Sequence, residues 1–429
     1  MTSIKSLAGR VIADSRGDKT VEVALELDNG ESVRASVPRG KSRGSFEAQD
    51  AEPERAIETI KSMIAPALVG LDPFNQKGID REMIEIDGTP NKSKLGANAI
   101  LAVSLACAKG AALANGVPLW RHLRDLYDVR GGHDDYDKNK PKRSPRLFAN
   151  IINGGLHAKN GLPFQEYMVI PKSRNAGQSL AMVRKIYDAV KNIFDADGRG
   201  AGISMGDEGG FAPVFENYFE PFEILEQAVR EAGLAGEIDF GLDAAANGVA
   251  IAPPELFRAY EKMKNEYGVK YFEDPFPEND FGNFASLLGR LNGERLNDER
   301  LSGSQPDGGK MGDDKLRDGV IIAGDDITVT NLERMKKAKE AGSVDGMIIK
   351  PNQIGTVSET LDAIRQARDW NWFVVVSHRS GETMDDFIAD LTFAVEADGL
   401  KAGAPSQKER LAKYERLAAI ESERGGGIN

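Results

Sequence analysis

Residues Gly319 to Gly355 read GVIIAGDDITVTNLERMKKAKEAGSVDGMIIKPNQIG. The apolar run Val320-Ile-Ile-Ala323 ends in the acidic pair Asp325-Asp326. Thr330-Asn331 supplies a helix cap, and the charged stretch to Ala341 reads as that helix. A second apolar run, Met347-Ile-Ile349, then ends in one basic residue, Lys350. The pattern is strand, helix, strand, with a reactive type of side chain where each strand stops. Such βαβ units close into parallel sheets or barrels. In (β/α)8 barrels the chemistry sits at the C-terminal ends of the strands.

The pattern recurs on both sides. Asp239-Phe-Gly-Leu runs into Asp243, and Val269-Lys-Tyr-Phe runs into Glu273-Asp274-Pro275. Trp372-Phe-Val-Val-Val runs into Ser377-His378-Arg379-Ser380, and a weaker run from Ala394-Val395 reaches Lys401. Most steps are about 25 to 30 residues, the length of one βα unit. The step from Glu273 to Asp325 is nearly twice as long, and its polar, Gly-rich middle, 289–318, reads as an inserted loop.

Upstream the pattern changes. Val21 to Leu27 and Val33 to Val37 alternate apolar and polar about an Asn29-Gly30 turn, which predicts an antiparallel hairpin. Helical patterns follow over Pro53 to Leu68, Phe74 to Ile86 and Gly96 to Asn115. A hairpin followed by helices is an α+β arrangement. We therefore expect an α+β N-terminal domain over 1–135 and a barrel domain over 136–429, split in the polar stretch Val129 to Arg146. Further helices are expected over Ser179 to Phe194 and Tyr218 to Ala232, and a strand over Phe164 to Ile170 with Glu166 near its start.

At 429 residues and 41% hydrophobic composition the chain has ample material for a core. A net charge of -12 argues against a nucleic-acid or anionic-membrane surface. The single Cys107 excludes an internal disulfide framework and fits a reducing cytoplasm. It lies in the Ala-rich stretch Ala97 to Ala114, which reads as too short and too broken by Lys109 and Gly110 to span a membrane. The N-terminus carries no apolar segment of a secretory signal.

Asp243, Glu273 and Asp325 are carboxylates at the ends of separate strands, with no Cys/His cluster. Each alone could cap a helix or pair with a surface lysine. Together they are hard oxygen ligands of the kind that suits Mg2+. Lys350, His378, Arg379 and Lys401 would face them across the rim, and cations opposite a metal suit a substrate rich in carboxylate and phosphate. The set points to proton abstraction next to a carboxylate, with a lysine base and metal ions on the carboxylate. The pairing of a lysine or histidine base with one or two Mg2+ is the general example of the enolase superfamily. His157, after Asn153-Gly-Gly, and the acids Asp207-Glu208 between glycines are candidates by position, although acidic glycine loops are common turns. Arg39-Gly-Lys-Ser-Arg-Gly44 is either a solvated basic loop or one that closes on an anionic ligand.

With these residues in view the sequence resembles the enolase (phosphopyruvate hydratase) family over nearly its whole length. The matching stretches are Asp14-Ser-Arg-Gly17, Asn91 to Ser104, Asn153 to His157, Gln165-Glu166 and Gly206 to Pro213. They continue with Glu273-Asp-Pro275, Gly324-Asp-Asp326, Lys350 with Asn352 to Gly355, Ser377 to Thr383, and Lys401 before Gly403-Ala-Pro405. The resemblance implies an α/β fold: a small α+β domain, then a (β/α)8-type barrel with ββαα(βα)6 topology. It implies Mg2+-dependent dehydration of 2-phosphoglycerate to phosphoenolpyruvate. Lys350 would remove the C2 proton. Glu208, helped by Glu166, would protonate the leaving C3 hydroxyl. Asp243, Glu273 and Asp325 would hold one Mg2+, and Ser42 would reach a second. His157, His378, Arg379, Ser380 and Lys401 would contact the substrate. A cytoplasmic homodimer or homo-octamer, binding neither nucleic acid nor membrane, is expected.

The departures lie around that set. Enolases typically carry Ser-Gly-Ala-Ser-Thr-Gly where this chain has Arg39-Gly-Lys-Ser-Arg-Gly44. Gly161-Leu-Pro-Phe164 replaces a polar run, Ala244-Ala-Ala-Asn247 lacks an aromatic hairpin, Pro277 stands where His is common, and Pro351 adjoins the base. Three readings follow: a glycolytic enolase; an enolase-like paralogue that adds a phosphonate to the substrate, as in a carboxyphosphonoenolpyruvate synthase; or a non-catalytic relative. Intact buried acids argue against the third.

Overall fold

The computed structural model describes residues 2–41, 44–128, 144–173, 175–293 and 315–425. Ser42 and Arg43, the domain boundary expected at 135/136, and most of the expected insertion therefore lie outside the described residues. The insertion was expected from residue 289, but the helix Phe281–Asn292 runs through that point. Its apolar positions Phe284, Leu287, Leu288 and Leu291 are buried, so packing extends the helix beyond the Gly289 that reads as a break.

Three antiparallel strands open the chain: β1 (Ile4–Ala13), β2 (Lys19–Leu27) and β3 (Ser32–Ser36), in that order. The expected hairpin is β2–β3. β1 is an addition that sequence reading did not anticipate, because Gly9 and a half-exposed register blur its alternation. Pro53–Thr59, a π-helical turn at Ile60–Ile64 and Ala65–Leu68 form one helical run. Gln76–Asp87, Ala97–Ala114 and Leu119–Asp128 complete this part. The helix expected over Gly96 to Asn115 is Ala97–Ala114, and, although the sequence reads as too short and too broken to span a membrane, by length and composition it could cross one. It is instead a core helix with 83% of its residues buried, packed on β2 and β3, and that burial accounts for its apolar composition. Lys109 reaches Asp385 at its edge, 2.7 Å away, and Cys107 is fully buried.

The second part is a closed barrel of β4 (Arg146–Asn153), β5 (Glu166–Pro171), β6 (Ile238–Asp243), β7 (Val269–Glu273), β8 (Ile321–Gly324), β9 (Gly346–Ile349), β10 (Phe373–Ser377) and β11 (Gly399–Lys401). β5 runs antiparallel to both β4 and β6. Every other neighbouring pair is parallel, including β11 with β4, which closes the ring. Two helices, Ala176–Ala196 and Glu220–Glu231, separate β5 from β6. The topology is ββαα(βα)6, as expected. One strand differs from the sequence reading: Ala394 ends the helix Phe387–Ala394, and only Gly399–Lys401 is extended.

Strand periodicity places the site. Side chains alternate inward and outward along a strand. Phe148, Met168, Tyr271, Ala323, Ile348 and Val375 pack together inside the barrel. Two residues further toward the same rim, on the same inward face, come Asn150, Glu166, Glu273, Asp325, Lys350 and Ser377. Glu166 starts its strand, whereas Glu273, Asp325, Lys350 and Ser377 end or directly follow theirs, yet it reaches the same rim because β5 runs the other way. It pairs directly with Asp243, which in turn pairs with Glu273.

Candidate active site

Of these, Glu166, Asp325, Lys350 and Ser377 line one cavity of about 210 Å3 at the C-terminal mouth of the barrel, together with His157, Gln165, Glu208, Asp243, Asp274, Asp326, His378, Arg379, Ser380 and Lys401. The floor is Tyr271, whose hydroxyl donates to Glu273 Oε2 at 3.1 Å. Above it Lys401, 1% exposed, gathers three carboxylates. Its Nζ lies 3.0 Å from Asp243 Oδ2, 2.8 Å from Glu273 Oε1 and 3.1 Å from Glu166 Oε1. The expected metal acids Asp243 and Glu273 thus meet on an ammonium group. The third, Asp325, binds the Lys350 ammonium through Oδ2 and accepts from Gln353 Nε2 at 2.7 Å through Oδ1.

Asp274 joins this end of the site without having been singled out. Its two oxygens accept the backbone N–H groups of Asp325, at 3.0 Å, and Asp326, at 2.6 Å. Its own φ is +41°, a conformation that costs a non-glycine residue and persists only when its surroundings over-determine it. Asp274, Asp325 and Asp326 form one group of carboxylates close enough to share a cation, and His157, Glu166 and Glu208 form another. Burial and the neighbouring Asp243 push Glu273 up to about 8, and burial with Asp325 pushes Asp326 up to about 7. Excess negative charge held out of water is the condition a divalent cation relieves, and an all-oxygen donor set is the chemistry of Mg2+.

Lys350 follows β9 and precedes Pro351, which opens the short helix Pro351–Ile354. Its N–H donates to Thr330 Oγ1 at 3.0 Å, which fixes the backbone from which the side chain enters. Burial pushes the ammonium down, as do Arg379 and Lys401, but Asp325 outweighs them and leaves it above the ordinary lysine value.

At the opposite end, Glu208 enters on the loop Gly206–Gly210. That loop closes on itself through Gly206 N to Gly210 O at 2.8 Å, and it is tied to β4 through Gly210 N to Asn153 Oδ1 at 3.0 Å. Asn150 Nδ2 donates to Glu208 Oε2 at 2.9 Å. Glu208 Oε1 faces His157 Nδ1 at 3.6 Å and His378 Nε2 at 3.5 Å. Burial pushes both acids up, but Glu208, among the two imidazoles, Arg410 and Lys401, is held well below the ordinary carboxylate range. Glu166 is held well above it, by burial first and then by the Glu208 charge. Both imidazoles are pushed down by burial, while the Glu208 charge pulls them up. A proton held by this pair is therefore favoured on Glu166 over Glu208. His157 Nδ1, His378 Nε2, Glu166 Oε2 and Gln165 Oε1 have no hydrogen-bond partner among the described residues. Buried polar atoms of this kind call for a polar ligand.

Arg379 forms a two-pronged contact with Glu47, Nη1 to Oε2 at 2.8 Å and Nη2 to Oε1 at 3.2 Å. Ser380 Oγ accepts from Lys41 N at 2.8 Å and Arg16 Nη1 at 3.3 Å, so its own proton is left to donate. The N-terminal part of the chain thus sits on Arg379 and Ser380 of the barrel. Gly40 lies so close that a Cβ there would stand 1.9 Å from Arg379 Nη2. Ser42, the expected ligand of a second metal ion, is outside the described residues. Sequence reading passed over Asn150, Glu47, Asp274 and Arg410. Asn150 alone carried a signal, its inward register with Phe148.

The comparisons agree along the whole chain. The family model "Enolase, N-terminal domain" matches residues 4–123, and "Enolase, C-terminal TIM barrel domain" matches 143–250 and 298–428. A protein named Enolase from Methanopyrus kandleri is 38% identical, with 99% of this chain and 97% of the relative aligned. Enolase of Methanocaldococcus jannaschii is 38% identical over 98% and 96%, and Enolase of Solanum lycopersicum 36% over 99% and 96%. The family models match both parts of the chain but not 251–297, which holds β7, while the relatives align over nearly its whole length, and the chain belongs to the enolase family, lyases of the phosphopyruvate hydratase type.

Proposed function

We propose that this chain dehydrates 2-phosphoglycerate to phosphoenolpyruvate in a Mg2+-dependent reaction. The observation that carries the reading is that Lys350 and the Glu166–Glu208 pair line one cavity together with the buried acids Asp243 and Asp325. A base on one side of a substrate and an acid on the other is what an elimination across C2 and C3 requires.

In this reading Asp243, Glu273 and Asp325 would hold one Mg2+ and Ser42 a second. Bound there, the ions would supply stabilisation of the charge that builds on the substrate carboxylate, and Asp325, as a metal ligand, would no longer be spent on Lys350. Arg379 and Lys401 then keep the Lys350 amine low enough to accept the C2 proton. Arg379 and Ser380 orient the phosphate, and release of Arg379 from Glu47 accompanies substrate entry. Glu166 supplies its proton through Glu208 to the departing hydroxyl, with His157 and His378 as neutral hydrogen-bonding groups beside it. We further propose a cytoplasmic homo-oligomer with its N-terminal domain ending near residue 135.

The phosphonate-adding reading rested on the basic loop. Lys41 Nζ is 2.8 Å from Asp207 Oδ2 and 3.0 Å from Leu156 O, while Arg39 lies 3.6 Å from Glu52. Both described cations of that loop are engaged within the protein, which favours the simpler substrate. The test is ultraviolet absorbance of enol formation from 2-phosphoglycerate with Mg2+. Turnover is expected; none, with Mg2+ binding intact, overturns the reading and returns attention to phosphonate co-substrates.

A further inference from the structure

Arg410 is fully buried, at 0% exposure, on the helix Lys408–Gly425, outside the barrel strands. It does not itself line the cavity. Its guanidinium is nevertheless spent mostly on the segments that carry the site. Nη2 donates to Ser380 O at 2.8 Å and Asp207 O at 3.0 Å, and Nη1 donates to Arg379 O at 3.2 Å. Nε donates to Gln407 Oε1 at 2.9 Å. Nη1 also contacts His378 Nδ1. Gly403, with φ of +81°, gives it room: a Cβ there would stand 2.4 Å from Arg410 Cδ.

The contact with His378 settles a proton. A guanidinium has donors and no acceptor. The ring nitrogen that faces it must therefore offer a lone pair, so Nδ1 is unprotonated and Nε2 carries the hydrogen. An imidazolium would set two donors against each other, so the same contact excludes the charged ring. The remaining charged groups facing His378 are Glu208, Lys401 and Lys350. Nε2, aimed at Glu208 Oε1 and otherwise without a partner among the described residues, is thus a fixed neutral donor at the acid end of the cavity.

We infer that Arg410 is a positioning residue that locks His378 as the neutral Nε2–H tautomer and holds the Asp207 and Arg379–Ser380 backbones in one frame around it. The inference rests on the proposed function for its effect on turnover but not for the tautomer itself.

The chain has four histidines, so the imidazole nitrogens of the full-length 15N-labelled protein are few enough to assign, with His378→Gln identifying the signal. In the wild type His378 is expected to show a pyridine-type Nδ1 and a pyrrole-type Nε2, unchanged across neutral pH. A protonated Nδ1, or two averaged nitrogens, overturns the inference, whether or not 2-phosphoglycerate is turned over. Arg410→Gln frees the ring, because an amide both donates and accepts. It should average or reverse the tautomer and lower kcat about tenfold to a hundredfold with KM little changed. Arg410→Lys keeps a donor toward Nδ1 and should restore the tautomer and part of kcat. Loss of kcat in Arg410→Gln with an unaltered His378 spectrum would make Arg410 merely structural. Should that variant fail to fold, the wild-type spectrum and Arg410→Lys decide the matter alone.

Discussion

At the Lys350 end of the cavity each side chain is tied to a dedicated partner: Lys350 to Asp325, Arg379 to Glu47, and Asp274 to two backbone amides. At the Glu208 end one ammonium, Lys401, serves three carboxylates, and several buried polar atoms have nothing to bond among the described residues. The first arrangement sets geometry. The second leaves an unmet demand for a ligand. Carboxylates that must change protonation during a reaction cannot each be locked to a permanent cation, because a strong ion pair would fix the charged form.

The contrast is most sharply broken by Lys350→Ala. Turnover of 2-phosphoglycerate should fall by about a thousandfold or more. Mg2+ binding, followed by calorimetry, should survive because Asp325 loses only a competitor. Substantial residual turnover would remove Lys350 as the base. Glu208→Gln addresses the other end and should lower kcat by about a hundredfold. Exchange of the substrate C2 hydrogen with deuterated solvent, read by NMR, should continue, because the base is untouched. If exchange stops with turnover, the two ends do not act separately. Asp274→Asn leaves one acceptor where two amides need one each. A drop of about tenfold in Mg2+ affinity is expected, with the fold's melting behaviour intact; unchanged affinity would deny Asp274 any part in orienting Asp325.

The smallest effect belongs to a buried pair far from the chemistry, Lys109–Asp385, where the N-terminal helix meets the barrel. Burial pushes the Asp385 carboxyl up, but Lys109 and the backbone N–H groups of Ser36 and Phe387 outweigh it and hold it below the ordinary value. With the folded pKa below the unfolded one, the stabilisation is complete above the ordinary carboxylate pKa. It is lost as pH falls through the lowered value. Asp385→Asn should therefore cost about 1–3 kcal/mol at neutral pH without changing turnover. The gap between the urea midpoints of variant and wild type should close as pH is taken below about 4. A gap independent of pH would mean that the carboxylate charge is not what holds this seam.

Much of the barrel was legible because its strands are buried on both faces and read as apolar runs that stop at a charged residue. Asp325, Lys350 and Glu273 announce themselves in that way. The same logic failed at β11, where three residues suffice because the strand is held between β10 and β4, and at β1, where pairing with β2 overrides a weak pattern. Asn150 and Glu47 carry no motif of their own; each matters through one partner far away in sequence. Arg410 looks like one more charge on an amphipathic helix until its burial is seen.

The sequence by itself determined the family, the order of the strands and the identity of the groups that end them, because periodicity and motif are local properties of the chain. Only the tertiary structure decided how their charges are shared. It put Lys401 among Asp243, Glu166 and Glu273, and Glu47 against Arg379. It set Arg410 behind His378, and Glu166, on a reversed strand, opposite Glu208. Charge sharing depends on distance through a buried, weakly screened interior, and distances between residues remote in sequence exist only once the chain has closed into its barrel.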